Sequence, residues 1–193
     1  MTKEEINKIC KEYGIHSCTI NKDMSIDVDG DVDLSYQKFK QLPLTFNKVS
    51  GDFYCHSCQN LTSLQGAPKE VSGDFSCNNC TNLTSLHGAP KEVGGDFYCN
   101  NCPNLTSLQG GPKEVGGDFF CSSCQNLTSL DYMILKCKIE EKRYILSGTK
   151  ITEKELDRYL LKRVLLGDYD CIDMMTDASK VKALKTMIDF DLL

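Results

Sequence analysis

Between residues 51 and 130 the apolar positions recur in one fixed order. In one stretch they are Phe75, Cys77, Cys80, Leu83 and Leu86, spaced two residues apart at first and three apart afterwards. The alternation at the start predicts a short strand with one buried face, and the looser spacing predicts an extended arc after it. The segments GDFYCHSCQNLTSLQGAPKEVS (51–72), GDFSCNNCTNLTSLHGAPKEVG (73–94), GDFYCNNCPNLTSLQGGPKEVG (95–116) and the shortened GDFFCSSCQNLTSL (117–130) align without a gap, so the period is 22 residues. Repetition at such a period marks a solenoid, in which each unit buries its apolar face only against its neighbours. A diverged unit, GDVDLSYQKFKQLPLTFNKVS (30–50), keeps Gly30 and Asp31 and places Val32 and Leu34 where the others have Phe and Cys. The expected architecture over 30–130 is a solenoid whose short parallel strands form one curved sheet. Pro68, Pro90 and Pro112 suit an extended convex side without ladder hydrogen bonds.

The pattern changes at both ends. Thr2 with Glu5 reads as a capping box opening a helix that ends near Gly14, with Ile6, Ile9, Cys10 and Tyr13 on one face. CTINKDMSIDVDGDVDLS then alternates like strands. After residue 130, MILKCKI and KRYILSG read as closing strands, and Thr152 with Glu155 opens a second capping box. Leu156, Leu160 and Val164 share a face of that helix; Val181, Leu184 and Ile188 mark a shorter last one. The expected division is an N-terminal cap over 1–29, repeats over 30–130 and a C-terminal cap over 131–193, because terminal repeats need polar covers.

Composition narrows the function classes. Of the 193 residues, 40% are hydrophobic and 25% charged, which is apolar enough for a packed core. The net charge is -5, and all three Arg (Arg143, Arg158, Arg163) follow the repeats, so nucleic acid is not an expected partner. No apolar run approaches the roughly 18 residues of a membrane helix. The N-terminal MTKEEINKICKEYG is too charged for a signal peptide, and a cytoplasmic location is expected. Asp27, Asp29, Asp31 and Asp33 do not make a calcium loop, since Gly30 is out of place and Lys38 stands where the bidentate Glu belongs.

Twelve Cys are present, eight of them as C-x2-C pairs in the repeats. C-x2-C-x18-C-x2-C is also zinc-ribbon spacing, so Cys55, Cys58, Cys77 and Cys80 could hold one zinc and Cys99, Cys102, Cys121 and Cys124 another. Two facts favour core cysteines over metal ligands and leave no cofactor expected. The x18 interval is only the period minus the motif, and Leu34 fills the first Cys position of the diverged unit. Stacked roughly 4.8 Å apart, the two cysteine columns would serve as small buried hydrophobes. Asn60, Asn82, Asn104 and Asn126 begin sequon-like triplets; in a protein that is not exported they act as turn residues that satisfy backbone groups.

The unit resembles the leucine-rich repeat family, whose core pattern L-x-x-L-x-L-x-x-N/C ends in Asn or Cys. Phe75 takes the second Leu position, Cys77 the third and Cys80 the Asn/Cys position. The resemblance implies a leucine-rich repeat solenoid with helical caps at both ends, in which Cys58, Cys80, Cys102 and Cys124 tie down the backbone of the turn. The wording GDFxCxxCxNLTSLxGxPKEV is similar, more narrowly, to repeats of proteins encoded by tailed bacteriophages. Cys171-Ile172-Asp173 matches the Cys-x-Asp of ubiquitin-ligase effectors that carry leucine-rich repeats, although their catalytic domains are several times longer than the chain after residue 150.

With Phe and the first Cys inward, the alternate residues make an exposed strand face. Its columns are Asp52, Asp74, Asp96 and Asp118, and beside them Tyr54, Ser76, Tyr98 and Phe120. Residues 51–130 hold 3 Lys against 7 acidic residues, a net -4. Either the Asp column is a feature of the turn, or the face is tuned to a basic or polar protein partner with Tyr54, Tyr98 and Phe120 as anchors. No nucleophile–base pair or phosphate loop appears, and the expectation is a non-enzymatic binding module that blocks a host protein such as a defence complex. A zinc-binding protein and an assembly component are the other readings.

Overall fold

A computed structural model describes residues 1–130, 147–165 and 175–189. Helix α1 (Lys3–Glu12) opens on the expected capping box: the Thr2 hydroxyl accepts from Glu5 N, and the Glu5 carboxylate accepts from Thr2 N. It buries Ile6 and Cys10, and Tyr13 meets Phe39 edge-on at 6.5 Å. Strands β1 (Cys18–Ile20) and β2 (Ile26–Val28) pair antiparallel.

From β2 onward the chain winds as a parallel β-solenoid of about four turns, with a 22-residue coil. The strands are β3 (Val32–Asp33), β4 (Phe46–Val49), β5 (Phe53–Tyr54), β6 (Glu70–Val71), β7 (Phe75–Ser76), β8 (Glu92–Val93), β9 (Phe97–Tyr98), β10 (Glu114–Val115) and β11 (Phe119–Phe120). They form two sheets where one was expected. The first has the order β1-β2-β4-β6-β8-β10 and the second β11-β9-β7-β5-β3. The additional strand comes from the Glu-Val pairs, in register from coil to coil as Val49, Val71, Val93 and Val115. Proline explains where it begins. Pro68 has no N–H to give, so the ladder starts one residue later, with Lys69 N donating to Asn47 O at 2.8 Å. The stretch read as ladder-free therefore ends at each proline.

Each coil thus has three sides around one core: the Phe strand, the Leu arc and the Val strand. Phe53, Phe75, Phe97 and Phe119 stack along the axis with centroids 5.1–5.6 Å apart and planes within 18°. Leu61, Leu83, Leu105 and Leu127 line the arc, all fully buried. The arc closes on a tight turn, with Ala89 N donating to Leu86 O at 3.0 Å and Gly88 at φ +90°. A Cβ at Gly88 would stand 2.5 Å from Gln65 N of the coil below, so both conformation and space require glycine there.

Beyond the repeats lie α2 (Glu153–Leu165) and α3 (Asp177–Asp189). Glu155 N donates to the Thr152 hydroxyl, while the Glu155 carboxylate takes Arg158 and Ser129. Leu156, Leu160 and Val164 are buried as expected. The last helix differs from expectation. It is as long as α2, it buries Ala183, and Val181 and Leu184 are 53% and 41% exposed. Its attachment is polar: the buried Asp157 accepts from Thr176 N and from the hydroxyls of Thr176 and Ser179, so the hydrophobic stripe alone misjudges which side faces inward. The strands read in 133–139, the ligase-like Cys171 and most of the segment KRYILSG lie outside the described residues.

Candidate functional site

The corner between the two sheets explains the Gly-Asp pair in every unit. The backbone ladder runs through it, as Gly95 N donates to Gly73 O at 2.9 Å. At the next residue the acceptor is a side chain. Asp52 N donates to Asp31 Oδ1, Asp74 N to Asp52 Oδ1, Asp96 N to Asp74 Oδ1 and Asp118 N to Asp96 Oδ1, all at 2.7–2.8 Å. Each carboxylate stands in for a missing carbonyl, and a charge-assisted bond offsets the repulsion between stacked carboxylates. Glycine precedes because a Cβ at Gly73, Gly95 or Gly117 would lie 2.0–2.1 Å from the carboxylate oxygen of the coil below. Gly95→Ala must displace Asp74 and break its bond to Asp96 N. We expect a loss of about 2–3 kcal/mol, read as a lower urea midpoint with an unchanged slope.

Outward of this ladder lie the residues singled out from the sequence. Tyr54 donates its hydroxyl to Asp52 Oδ2 and Tyr98 to Asp96 Oδ2, each at 2.7 Å. Accepted by a carboxylate and partly desolvated, the Tyr54 phenol is pushed up to about 12, and Tyr98 rises for the same reasons. Phe120 lies flat on Tyr98, centroids 4.9 Å apart and planes 4° apart. Asp52, Tyr54, Asp74, Asp96, Tyr98, Asp118 and Phe120 therefore share one face, the outer surface of the Phe-strand sheet. Ser76, expected on the same exposed face, is buried between its neighbours. Around it Tyr54, His56, Asp74, Asn78 and Tyr98 enclose a shallow depression of about 290 Å³. Tyr159, on helix α2, is buried.

The turn beyond this face carries a row of polar residues. Tyr36, Ser57, Asn79, Asn101 and Ser123 occupy equivalent positions with φ between +54° and +63°. Asn and Ser tolerate that left-handed conformation because of their short polar side chains. Asn78 Oδ1 accepts from Asn100 N and Asn100 Oδ1 from Ser122 N, a second side-chain ladder parallel to the aspartates.

The cysteines face inward. Cys55, Cys77, Cys99 and Cys121 are fully buried. The second column ties down the turn: Cys58 Sγ donates to Leu34 O, Cys80 Sγ to Cys55 O, Cys102 Sγ to Cys77 O and Cys124 Sγ to Cys99 O, at 3.1–3.4 Å. Burial pushes the thiols of Cys55, Cys77 and Cys99 well above their ordinary range and that of Cys80 to about 12. Such thiols are poor nucleophiles and poor thiolate ligands. Among the described residues no group of three or more His, Cys, Asp or Glu is placed to hold a metal ion. Among them too, no helix is long and apolar enough to cross a membrane.

Fold and face together define a repeat protein of the parallel β-solenoid class. Neither a family model, nor a curated protein, nor a solved structure matches the chain.

Proposed function

We propose that this protein is a non-enzymatic binding module whose Phe-strand sheet takes a partner protein on its outer face. The observation that carries the reading is the pair of tyrosines whose hydroxyls are tied to carboxylates. Rings held this way lose little freedom on binding, and rigid aromatic anchors are what interfaces concentrate. The net -4 of residues 51–130 suits a basic or polar partner. The likeness of the repeat wording to leucine-rich repeats and to repeats of tailed-bacteriophage proteins supports a narrower reading. On it, the protein is phage-encoded, works in the host cytoplasm and blocks a host protein, such as a defence complex, stoichiometrically. Helix α1, packed on the first coil, would close that end of the stack.

Capture from bacterial lysate with the wild-type protein, beside a Tyr54→Ala/Tyr98→Ala/Phe120→Ala variant, tests the reading. Calorimetry on the purified partner should then show a loss of about 2 kcal/mol for each true anchor. A variant that unfolds at the wild-type temperature and still binds with wild-type affinity would overturn the strand-face reading.

A further inference from the structure

The aromatic column on the strand face is interrupted once. Along the axis it reads Tyr54, Ser76, Tyr98, Phe120, so one rung has no ring. Where two rings are adjacent, at Tyr98 and Phe120, they stack at 4.9 Å. Tyr54 and Tyr98 carry the same hydroxyl tether to their own coil's aspartate, so they face each other across the empty rung, roughly 10 Å apart at twice the strand spacing.

The same rung leaves a carboxylate oxygen open. Asp52 and Asp96 each spend Oδ1 on the next coil's N–H and Oδ2 on their tyrosine hydroxyl. Asp74 spends Oδ1 on Asp96 N, but the residue two further on is Ser76, and among the described residues no tyrosine hydroxyl donates to Oδ2. Its charge is felt by both neighbouring phenols, which places it between them. The depression described above is therefore a slot with two aromatic walls, a serine floor and an unshared carboxylate oxygen at its edge.

We propose that this slot binds the guanidinium of an arginine side chain presented by the partner protein. A planar cation midway between the rings lies roughly 5 Å from each centroid, within the reach of about 6 Å at which a cation is attracted to a ring face. Its flat shape completes the stack, and its N–H fork meets Asp74 Oδ2, which an ammonium could do only as a point charge. The carboxylate repels phosphate and carboxylate groups, so nucleic acid and acidic peptides do not fit. This assignment rests on the strand face being the binding face and gives the chemistry of its central contact.

The test uses the full chain and acetyl-Gly-Arg-Gly-amide as probe, titrated by NMR, with the Lys and Gln analogues beside it. The arginine peptide should shift the resonances of Tyr54, Ser76 and Tyr98, and its side-chain methylenes should move upfield from ring currents. The lysine analogue should bind roughly fivefold more weakly and the glutamine analogue not measurably. Ser76→Tyr restores the residue found at the same position in two other coils, so the fold accepts it. It should fill the slot, cap Asp74 and reduce arginine binding at least tenfold with no fall in unfolding temperature. Asp74→Asn keeps the Oδ1 acceptor and should weaken binding severalfold. Equal affinity for the arginine and lysine peptides, or arginine binding that survives Ser76→Tyr, would overturn the proposal. Those results leave the partner assay of the triple alanine variant untouched, so the slot and the strand face can fail separately.

Discussion

Phe75→Ala is expected to cost about 3–5 kcal/mol, the range for removing a fully buried phenylalanine, and to divide the unfolding transition. Phe75 lies between Phe53 at 5.6 Å and Phe97 at 5.1 Å, parallel within 18° to both. Removing it costs transfer energy, two ring contacts at about 0.5–1.5 kcal/mol each and the coupling between coils. The last loss gives the change its particular signature. A solenoid is stabilised by nearest-neighbour interfaces, so weakening a middle unit lets the two sides melt separately. Urea unfolding followed by circular dichroism should therefore broaden, with a smaller apparent slope as well as a lower midpoint. A midpoint shift at constant slope would mean that the coils stay coupled through the Leu arc and the Val strand without the Phe stack.

The sequence shows the period and the inner side of each coil, and the reason is local. Four units align without a gap, and Phe, Cys and Leu fall at spacings that only an inward face explains, as the buried column Phe75, Cys77, Cys80, Leu83 and Leu86 attests. The α1 capping box is legible for the same reason, since its partners are three residues apart. What escaped depends on contacts 22 residues away. The Val strands β6, β8 and β10 are two residues long, too short for alternation, and become strands only by pairing with the same two residues of the next coil. The Gly-Asp pair persists even in the diverged unit that lost Phe and Cys, which is a signal that it serves the corner. Its role as a side-chain rung becomes visible only in space, where a Cβ added at Gly95 would stand 2.1 Å from Asp74 Oδ1. Ser76 reads in the sequence as one more small residue in a column; the slot exists because its two neighbours are tyrosines with tethered hydroxyls. At the C-terminal end the apolar stripe of α3 misled because the buried Asp157 fixes that helix through Thr176 and Ser179.

Alkaline pH should unfold the protein well before tyrosines or lysines of an ordinary domain would. A buried thiol whose folded pKa is raised stays protonated while its unfolded counterpart ionises. Its stabilising contribution is therefore complete below the unfolded pKa of about 8.5 and is lost as pH climbs above it toward the folded value. Cys55, Cys77 and Cys99 are well above their ordinary range in the fold and Cys80 is at about 12, each because burial disfavours the thiolate. Each thiol that stays protonated in the fold gives up about 1 kcal/mol of its contribution per pH unit above that point, as linkage requires. Several such thiols losing their contribution together weigh heavily against the whole stability of a typical domain, about 5–15 kcal/mol. Equilibrium unfolding between pH 8 and 10.5, with a phosphine reductant present to exclude disulfides, should thus show stability falling steadily with pH once the unfolded thiols are ionised. The Cys77→Ala/Cys99→Ala protein should be less stable at neutral pH from the two small cavities, yet its stability should fall less steeply through the alkaline range than that of the wild type, with other raised thiols such as Cys10 and Cys58 still contributing. If the slope does not change in that variant, the thiols are not the titrating groups, and the tethered phenols of Tyr54 and Tyr98, which also ionise late in the fold, become the next source to remove.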